Sequence, residues 1–355
     1  MTRRSVQIGV GVLIIASAAW GVDHVASGGT SPAPPHGAAA RATASSTAAA
    51  PSPGPATLNP LTIAAMRARA YPASTLTKVR SDGNQGGYVN WVVSFVSDGL
   101  TEYSLMSVPD SAPPAAGWPV VIISHGYLDP RTYRTDDGSY AQFIATLARA
   151  GYLVLKPDYR GHGQSQGVAE GGYLSPVYTY DLLNLISTVR ADPRVDRTRI
   201  GLFGHSLGGY EVLRAMVISH DIRAVVFMAA VVGSLYDIFF NWSTVTATPT
   251  AAPPVVQQHV AQSMIARNGT PRTNPDFWNQ ASAINYLGAT TAAVQIDEDA
   301  GDSMVPKLFS DHLYAALQSA GRSAQYITYP GDDHQFIRNR SAVLANMLSF
   351  YRAHL

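Results

Sequence analysis

From residue 120 onward the chain alternates between short, mostly apolar runs and longer stretches in which apolar residues recur every three or four positions. The short runs are Val120 to Ile123, Tyr152 to Leu155, Arg199 to Phe203, Ala224 to Met228, Ala292 to Ile296 and Gln325 to Tyr329. Runs this short, without regular polar alternation, predict strands covered on both faces. Helical spacing fills the intervals around Tyr140 to Ala150, Val177 to Arg190, Leu207 to Val217, Pro306 to Ser319 and Ser341 to Ala353. The clearest of these carries Leu182, Leu185, Ile186 and Val189 at i, i+3, i+4 and i+7. Strand and helix in succession imply an α/β fold: a doubly wound, mostly parallel sheet with helices on both faces. Upstream, Leu61 to Ala70 predicts a short helix, and the alternating segments Val89 to Phe95 and Tyr103 to Val108 predict antiparallel strands at a sheet edge.

The alternation fails between Val232 and about Ala281, where Pro253-Pro254 and the aromatics Tyr236, Phe239, Phe240, Trp242, Phe277 and Trp278 occur without a strand pattern. An insertion here would lie over the carboxyl ends of the strands, where ligands bind in such sheets, so we expect a small helical cap. The alternative is a surface excursion that its aromatics merely anchor.

Two segments stand outside this pattern. Arg3 and Arg4 precede an uncharged stretch from Ser5 to Val22, with Ala16-Ser17-Ala18 and Val25-Ala26-Ser27 as cleavable sites, so residues 1–26 read as a signal peptide. The stretch is also close to the roughly 20 residues that span a bilayer, which makes a membrane anchor the alternative. Residues 27–58 are nearly all Ala, Pro, Ser, Thr or Gly, too little apolar surface to offset the entropy of ordering, and read as a flexible linker. The expected location is secreted or extracytoplasmic, with the linker as a tether if the leader stays in the membrane. That leaves 59–355 as the folded domain.

Composition narrows the chemistry. A formal charge of +1 with 14% charged residues gives no basic field, so a nucleic-acid partner is not expected. The absence of cysteine removes disulfides, thiolate nucleophiles and cysteine zinc sites together. No histidine and carboxylate cluster has ligand spacing, so neither metal nor cofactor is expected.

Gly204-His205-Ser206-Leu207-Gly208 joins a predicted strand to a predicted helix. This is the context of a nucleophile elbow, in which a sharp, strained turn presents a serine hydroxyl at the top of the sheet and at the positive end of the next helix. Glycine at 204 and 208 leaves room where strand and helix pack closely. A serine nucleophile needs a base, and the base an orienting acid, in the chain order Ser, Asp or Glu, His. Of ten histidines, His334 lies after the last strand and before the final helix. His312 and His259 fall in helical stretches, and His205 is locked in the elbow. For the acid, Asp297, Glu298, Asp299 and Asp302 crowd one strand end, and like charges so close predict that most point to water. Asp302, just before a helix, is the candidate, with Asp299 second. The developing oxyanion needs amide donors, expected from Leu207 after the serine and from Tyr127 in Ser124-His125-Gly126-Tyr127. In that loop His125 should brace the turn, and Asp158 to Ser165 should shape the floor without reacting.

These motifs, over roughly Val89 to Leu355, resemble the α/β-hydrolase superfamily, in particular the catalytic domain of the prolyl oligopeptidase-like group. The matching stretches are Asp158-Tyr159-Arg160-Gly161-His162-Gly163, Asp196 to Gly201 leading into Gly204 to Tyr210, Asp302-Ser303-Met304-Val305-Pro306 and Pro330-Gly331-Asp332-Asp333-His334. The resemblance implies Ser206 as nucleophile, Asp302 as acid and His334 as base, and favours Asp302 over Asp299. It departs in two places. Family members carry a His-Gly pair where this chain has Asp297-Glu298, and oligopeptidases carry a β-propeller that the 88 residues before Val89 are too few to form. The expectation is an exported Ser-His-Asp hydrolase acting through an acyl-enzyme on a small-molecule, peptide or polymer acyl substrate. By resemblance it is a serine peptidase, with a carboxylesterase as the alternative. A non-catalytic binding module would require the three side chains to lie out of reach. Nothing in the sequence sets an oligomeric state.

Overall fold

Six parallel strands carry the predicted apolar runs: β4 (Trp118–Ser124), β5 (Leu153–Pro157), β6 (Val195–His205), β7 (Ile222–Met228), β8 (Ala293–Glu298) and β9 (Ala324–Thr328). They belong to a nine-stranded sheet in a computed structural model that describes residues 58–242 and 255–355. The expected leader, the linker up to residue 57 and part of the cap insertion lie outside the described residues. Strand order is β1-β2-β3-β5-β4-β6-β7-β8-β9, with β1 (Thr77–Asn84), β2 (Tyr88–Ser97) and β3 (Leu100–Pro109) forming an antiparallel edge.

The parallel strands lack polar alternation because both of their faces are buried. Val120 and Ile122 of β4 face one core, Val121 and Ile123 the other, and β7 divides Val225 and Phe227 from Val226 and Met228 in the same way. The first core is closed by α3 (Val177–Ala191), α4 (Leu207–Ile218) and α7 (Lys307–Ser319), the second by α2 (Ala141–Arg149) and α8 (Arg340–His354). A short α1 (Ile63–Ala68), capped by the Thr62 hydroxyl, adds Ile63 to the first. The predicted elements are therefore present. The strand missed by the sequence reading is β1, every residue of which is exposed in Thr77 to Asn84. An edge strand with no buried face carries no hydrophobic period to detect.

The insertion is helical, as expected, in its described part: a π-helical turn (Asp237–Asn241), α5 (Val255–Asn268), α6 (Pro275–Ala281) and a 3₁₀ segment (Ala283–Ala289). Phe277 and Trp278 pack with Leu61, Leu235 and Met264 in a small separate core. Those two aromatics anchor the insertion, whereas Trp242 reaches the strand ends. Among the described residues, no helix is long and apolar enough to cross a membrane.

Strand order fixes the site. The chain leaves β4 toward β5 on one side and returns to β6 on the other, so a crevice opens between the carboxyl ends of β4 and β6. Their register runs from Val120 opposite Ile200 to Ser124 opposite Gly204, which brings the turns after both strands level.

Candidate active site

Ser206 follows β6 at φ 54°, ψ −122°, a conformation that L-residues avoid. It persists because its surroundings leave no alternative. The Ser206 carbonyl accepts from the Gly209 and Val231 amides at 3.0 and 2.9 Å, and a Cβ on Gly208 would lie 2.0 Å from the Ser124 carbonyl oxygen. A Cβ on Gly204 would press on the Gly209 backbone at 2.9 Å. Both glycines are thus required for the reason the sequence suggested: α4 starts in contact with the neighbouring strand and turn.

The turn after β4 meets this elbow. A Cβ on Gly126 would lie 3.1 Å from the Ser206 Cβ, so the glycine lets the turn approach the serine. Beside it, the Tyr127 amide donates to no protein acceptor among the described residues, and the Leu207 amide opens α4, where the first N–H groups have no intrahelical partner. His125 braces the turn as expected: Nδ1 is 2.7 Å from the Gly126 carbonyl oxygen, and the ring stacks on Tyr133. Burial, then the charge of Lys156, keeps this imidazole neutral by pushing its pKa well below the usual value. The Tyr159 hydroxyl donates to the His125 carbonyl at 2.7 Å. Asp158 is held by the Tyr133 and Thr135 hydroxyls at 2.8 and 2.6 Å, and Arg160 by Asp181 at 2.8 Å, so this segment forms the floor.

His334 lies in the loop after β9 and is buried, with Nδ1 2.7 Å from Asp302 Oδ2. The other oxygen of that carboxylate accepts from the Met304 and Val305 amides at 2.7 and 3.1 Å. An acid held on both oxygens fixes the imidazole with a proton on Nδ1 and leaves Nε2 free to accept one. The departure at Asp297-Glu298 therefore does not prevent the loop from delivering its carboxylate. No hydrogen bond joins Ser206 Oγ to the His334 ring, whose side-chain partner is Asp302. The base loop nevertheless touches the elbow, with His205 Nε2 3.1 Å from the His334 carbonyl oxygen and the two imidazoles 4.8 Å apart.

One expectation is corrected. Asp297, Glu298 and Asp299 do not point to water; each has 0% exposure. Asp297 is held by Gln295 Nε2 at 2.9 Å and by the Tyr329 hydroxyl at 3.2 Å, and Glu298 by the Ser310 hydroxyl. The Asp299 carboxylate has no hydrogen-bond partner among the described residues, His334 included. The like-charge argument fails because burial lets the carboxyls ionise less readily instead of turning outward. Burial raises Asp297 to about 7 and Glu298 to about 8, with the Asp302 charge adding to the latter. A carboxyl whose pKa rises on folding stabilises the fold fully below its unfolded value and loses that contribution as pH climbs through the folded one. Asp297→Asn is accordingly expected to weaken the fall in melting temperature between pH 4 and 7, checked by thermal scans of both proteins across that range.

The wall beside Leu207 is aromatic. Tyr159 and Tyr178 stack at 4.4 Å beneath it, and Tyr127 and Tyr173 pack against the same cluster. From the insertion, Trp242 meets Tyr173 at 5.7 Å and donates from Nε1 to the Met304 carbonyl at 2.8 Å, bridging the cap to the loop that carries Asp302. Glu211 on α4 is buried and bonded to the Thr179 hydroxyl. Sequence reasoning missed Tyr140, whose hydroxyl is 2.8 Å from the Gly126 amide and 2.6 Å from His205 Nδ1. No sequence signal marks it.

Comparison with known proteins agrees with the fold. The family described as serine aminopeptidase, S33, matches residues 118–340. An uncharacterised 31.7 kDa protein of Escherichia coli is 32% identical over 113 residues, 32% of this chain and 37% of its own length. Dipeptidyl peptidase family member 6 of Caenorhabditis elegans is 23% identical over 226 residues, covering 62% of this chain and 29% of that protein. This chain thus spans 37% of the first relative's length and 29% of the second's. Among solved structures, acetyl xylan esterase from Paenibacillus sp. R4 superposes with a TM-score of 0.62 at 18% identity, covering 82% of this chain and 92% of that one. On the family match, and with a sheet that superposes on such structures, the chain belongs to the serine aminopeptidase, S33, family and has the α/β-hydrolase fold.

Proposed function

We propose that Ser206, His334 and Asp302 form a catalytic triad that hydrolyses carboxylic esters through an acyl-enzyme. Ser206 Oγ attacks the acyl carbon while His334 Nε2 takes its proton. The tetrahedral oxyanion forms against the Leu207 and Tyr127 amides, and Asp302 stabilises the imidazolium. His334 then protonates the departing alkoxide. Water attacks the acyl-enzyme with the same imidazole as base, and Ser206 regains its proton as the acid product leaves.

The observation that carries the ester reading is the aromatic wall of Tyr127, Tyr173 and Trp242 beside Leu207, which suits an apolar or aromatic acyl group. Recognition of a peptide amino terminus calls for an available carboxylate, and Glu211 is instead buried against Thr179. Peptidase action is the second reading, favoured by the family's description and by the nematode relative. A paired assay separates them. We expect turnover of p-nitrophenyl acyl esters at a kcat/KM at least about 100-fold above that on peptide p-nitroanilides; efficient anilide cleavage would reverse the assignment. We also read the enzyme as exported, from Arg3-Arg4 and the uncharged run Ser5 to Val22.

A further inference from the structure

We propose that Tyr140 and His205 act as positioning residues, a buried hydrogen-bonded strut that couples the oxyanion turn to the loop carrying His334. The inference rests on the triad reading above.

Three hydrogen bonds run in series. The Gly126 amide lies 2.8 Å from the Tyr140 oxygen, that oxygen lies 2.6 Å from His205 Nδ1, and His205 Nε2 lies 3.1 Å from the His334 carbonyl oxygen. The proton order follows from the two ends. Gly126 N–H can only donate, so the Tyr140 hydroxyl proton is free to go to His205 Nδ1. His205 Nε2 must then carry the proton that it donates to the His334 carbonyl, which can only accept. Every donor and acceptor along the path is used once.

The strut touches both halves of the machinery next to the groups that act. Gly126 immediately precedes Tyr127, whose amide has no protein acceptor among the described residues and is the proposed second oxyanion donor. His334 is held twice, by its carbonyl through His205 and by its ring through Asp302 at 2.7 Å. Breaking the strut frees the first hold and leaves the second.

A second, independent observation is the backbone of Tyr140. It sits at φ 60°, ψ 13°, a left-handed conformation in which glycine or asparagine is ordinary and a bulky aromatic is not. Its own side chain makes no capping bond to α2, so the strain is not offset there. The ring instead packs on Phe203 of the elbow strand and against His205, aiming the hydroxyl between Gly126 and the imidazole. Strain held where a side chain reaches two functional loops is the pattern expected of a positioning residue.

The test compares Tyr140→Phe, His205→Leu, the double variant and His205→Gln in the full chain, with a p-nitrophenyl ester and Ser206→Ala as control. Removing one hydroxyl should lower kcat roughly 10- to 100-fold with KM within about twofold, because sub-ångström misplacement of donors and base affects the transition state more than binding. Since the bonds lie in series, the double variant should be no slower than the worse single within about threefold. His205→Gln, whose amide can accept from Tyr140 and donate to the His334 carbonyl, should recover most of the loss. A folded Tyr140→Phe with wild-type kcat, losses that multiply in the double variant, or a folded His205→Gln as slow as Tyr140→Phe would each overturn the coupling. If His205→Leu does not fold, the Phe and Gln variants decide alone. Activity that survives in Ser206→Ala would instead strike at the triad reading.

Discussion

Ser206→Ala is expected to lower kcat/KM on a p-nitrophenyl ester by ~10⁵-fold while leaving the melting temperature nearly unchanged. The size follows from what the side chain does. Without Oγ there is no atom to form the acyl-enzyme, and the two-step route through a covalent intermediate is lost. Direct attack by water remains, assisted by the Leu207 and Tyr127 amides and by binding, which accounts for a residual rate above the uncatalysed one. The small effect on stability follows from the same geometry. The elbow is held by bonds to the Ser206 carbonyl and by the contacts of Gly204 and Gly208, none of which involves the hydroxyl. Alanine inherits the positive φ without adding bulk. Steady-state kinetics and a thermal scan on the same preparation check both halves of the expectation.

Asp302→Asn should be nearly as damaging, about 10⁴-fold in kcat, with the protein still folded. The carboxylate accepts on both oxygens, from His334 Nδ1 on one and from the Met304 and Val305 amides on the other. An asparagine has one acceptor and one donor end. If its oxygen keeps the two amides, its NH₂ faces His334 and drives the proton from Nδ1 to Nε2, the nitrogen that must be bare to accept from Ser206. If the amide flips, the two backbone N–H groups lose their acceptor in a buried site. Either arrangement removes the base or disorders its loop. Comparison with Asp299→Asn separates the two candidate acids: a large loss of kcat at 299 with little at 302 would reverse the assignment.

The site was legible in the sequence where chain order and local backbone chemistry decide it. A serine between glycines at a strand-to-helix turn has few conformational options, and a histidine between the last strand and the last helix falls at the same sheet end because all these strands are parallel. The proposed amide donors, Leu207 and Tyr127, stand in the same turns. What the sequence does not display is the set of features made by contact between distant segments. The Asp297, Glu298 and Asp299 carboxyls read as a solvated cluster because charge density is visible along a chain while burial is not; the partners of Asp297 and Glu298, namely Gln295, Tyr329 and Ser310, come partly from other elements. Tyr140 looks like an ordinary residue at the start of a helix, and its role depends on Gly126 and His205 meeting above the sheet. Strand β1 was missed for the opposite reason: with every residue exposed, it is recruited by backbone pairing to β2 and by polar side-chain contacts, which leave no hydrophobic period in the sequence. The aromatics of the insertion divide between these cases, Phe277 and Trp278 serving a local core and Trp242 serving the cleft.

The central claim is that Ser206 is the nucleophile, and covalent capture tests it most directly. Treatment of the folded protein with a fluorophosphonate ester, digestion and mass spectrometry should find one phosphonyl group, on the peptide containing Ser206, with no label in Ser206→Ala and slow labelling in Asp302→Asn. A stoichiometric label on another residue, or undiminished labelling of Ser206→Ala, would contradict the account.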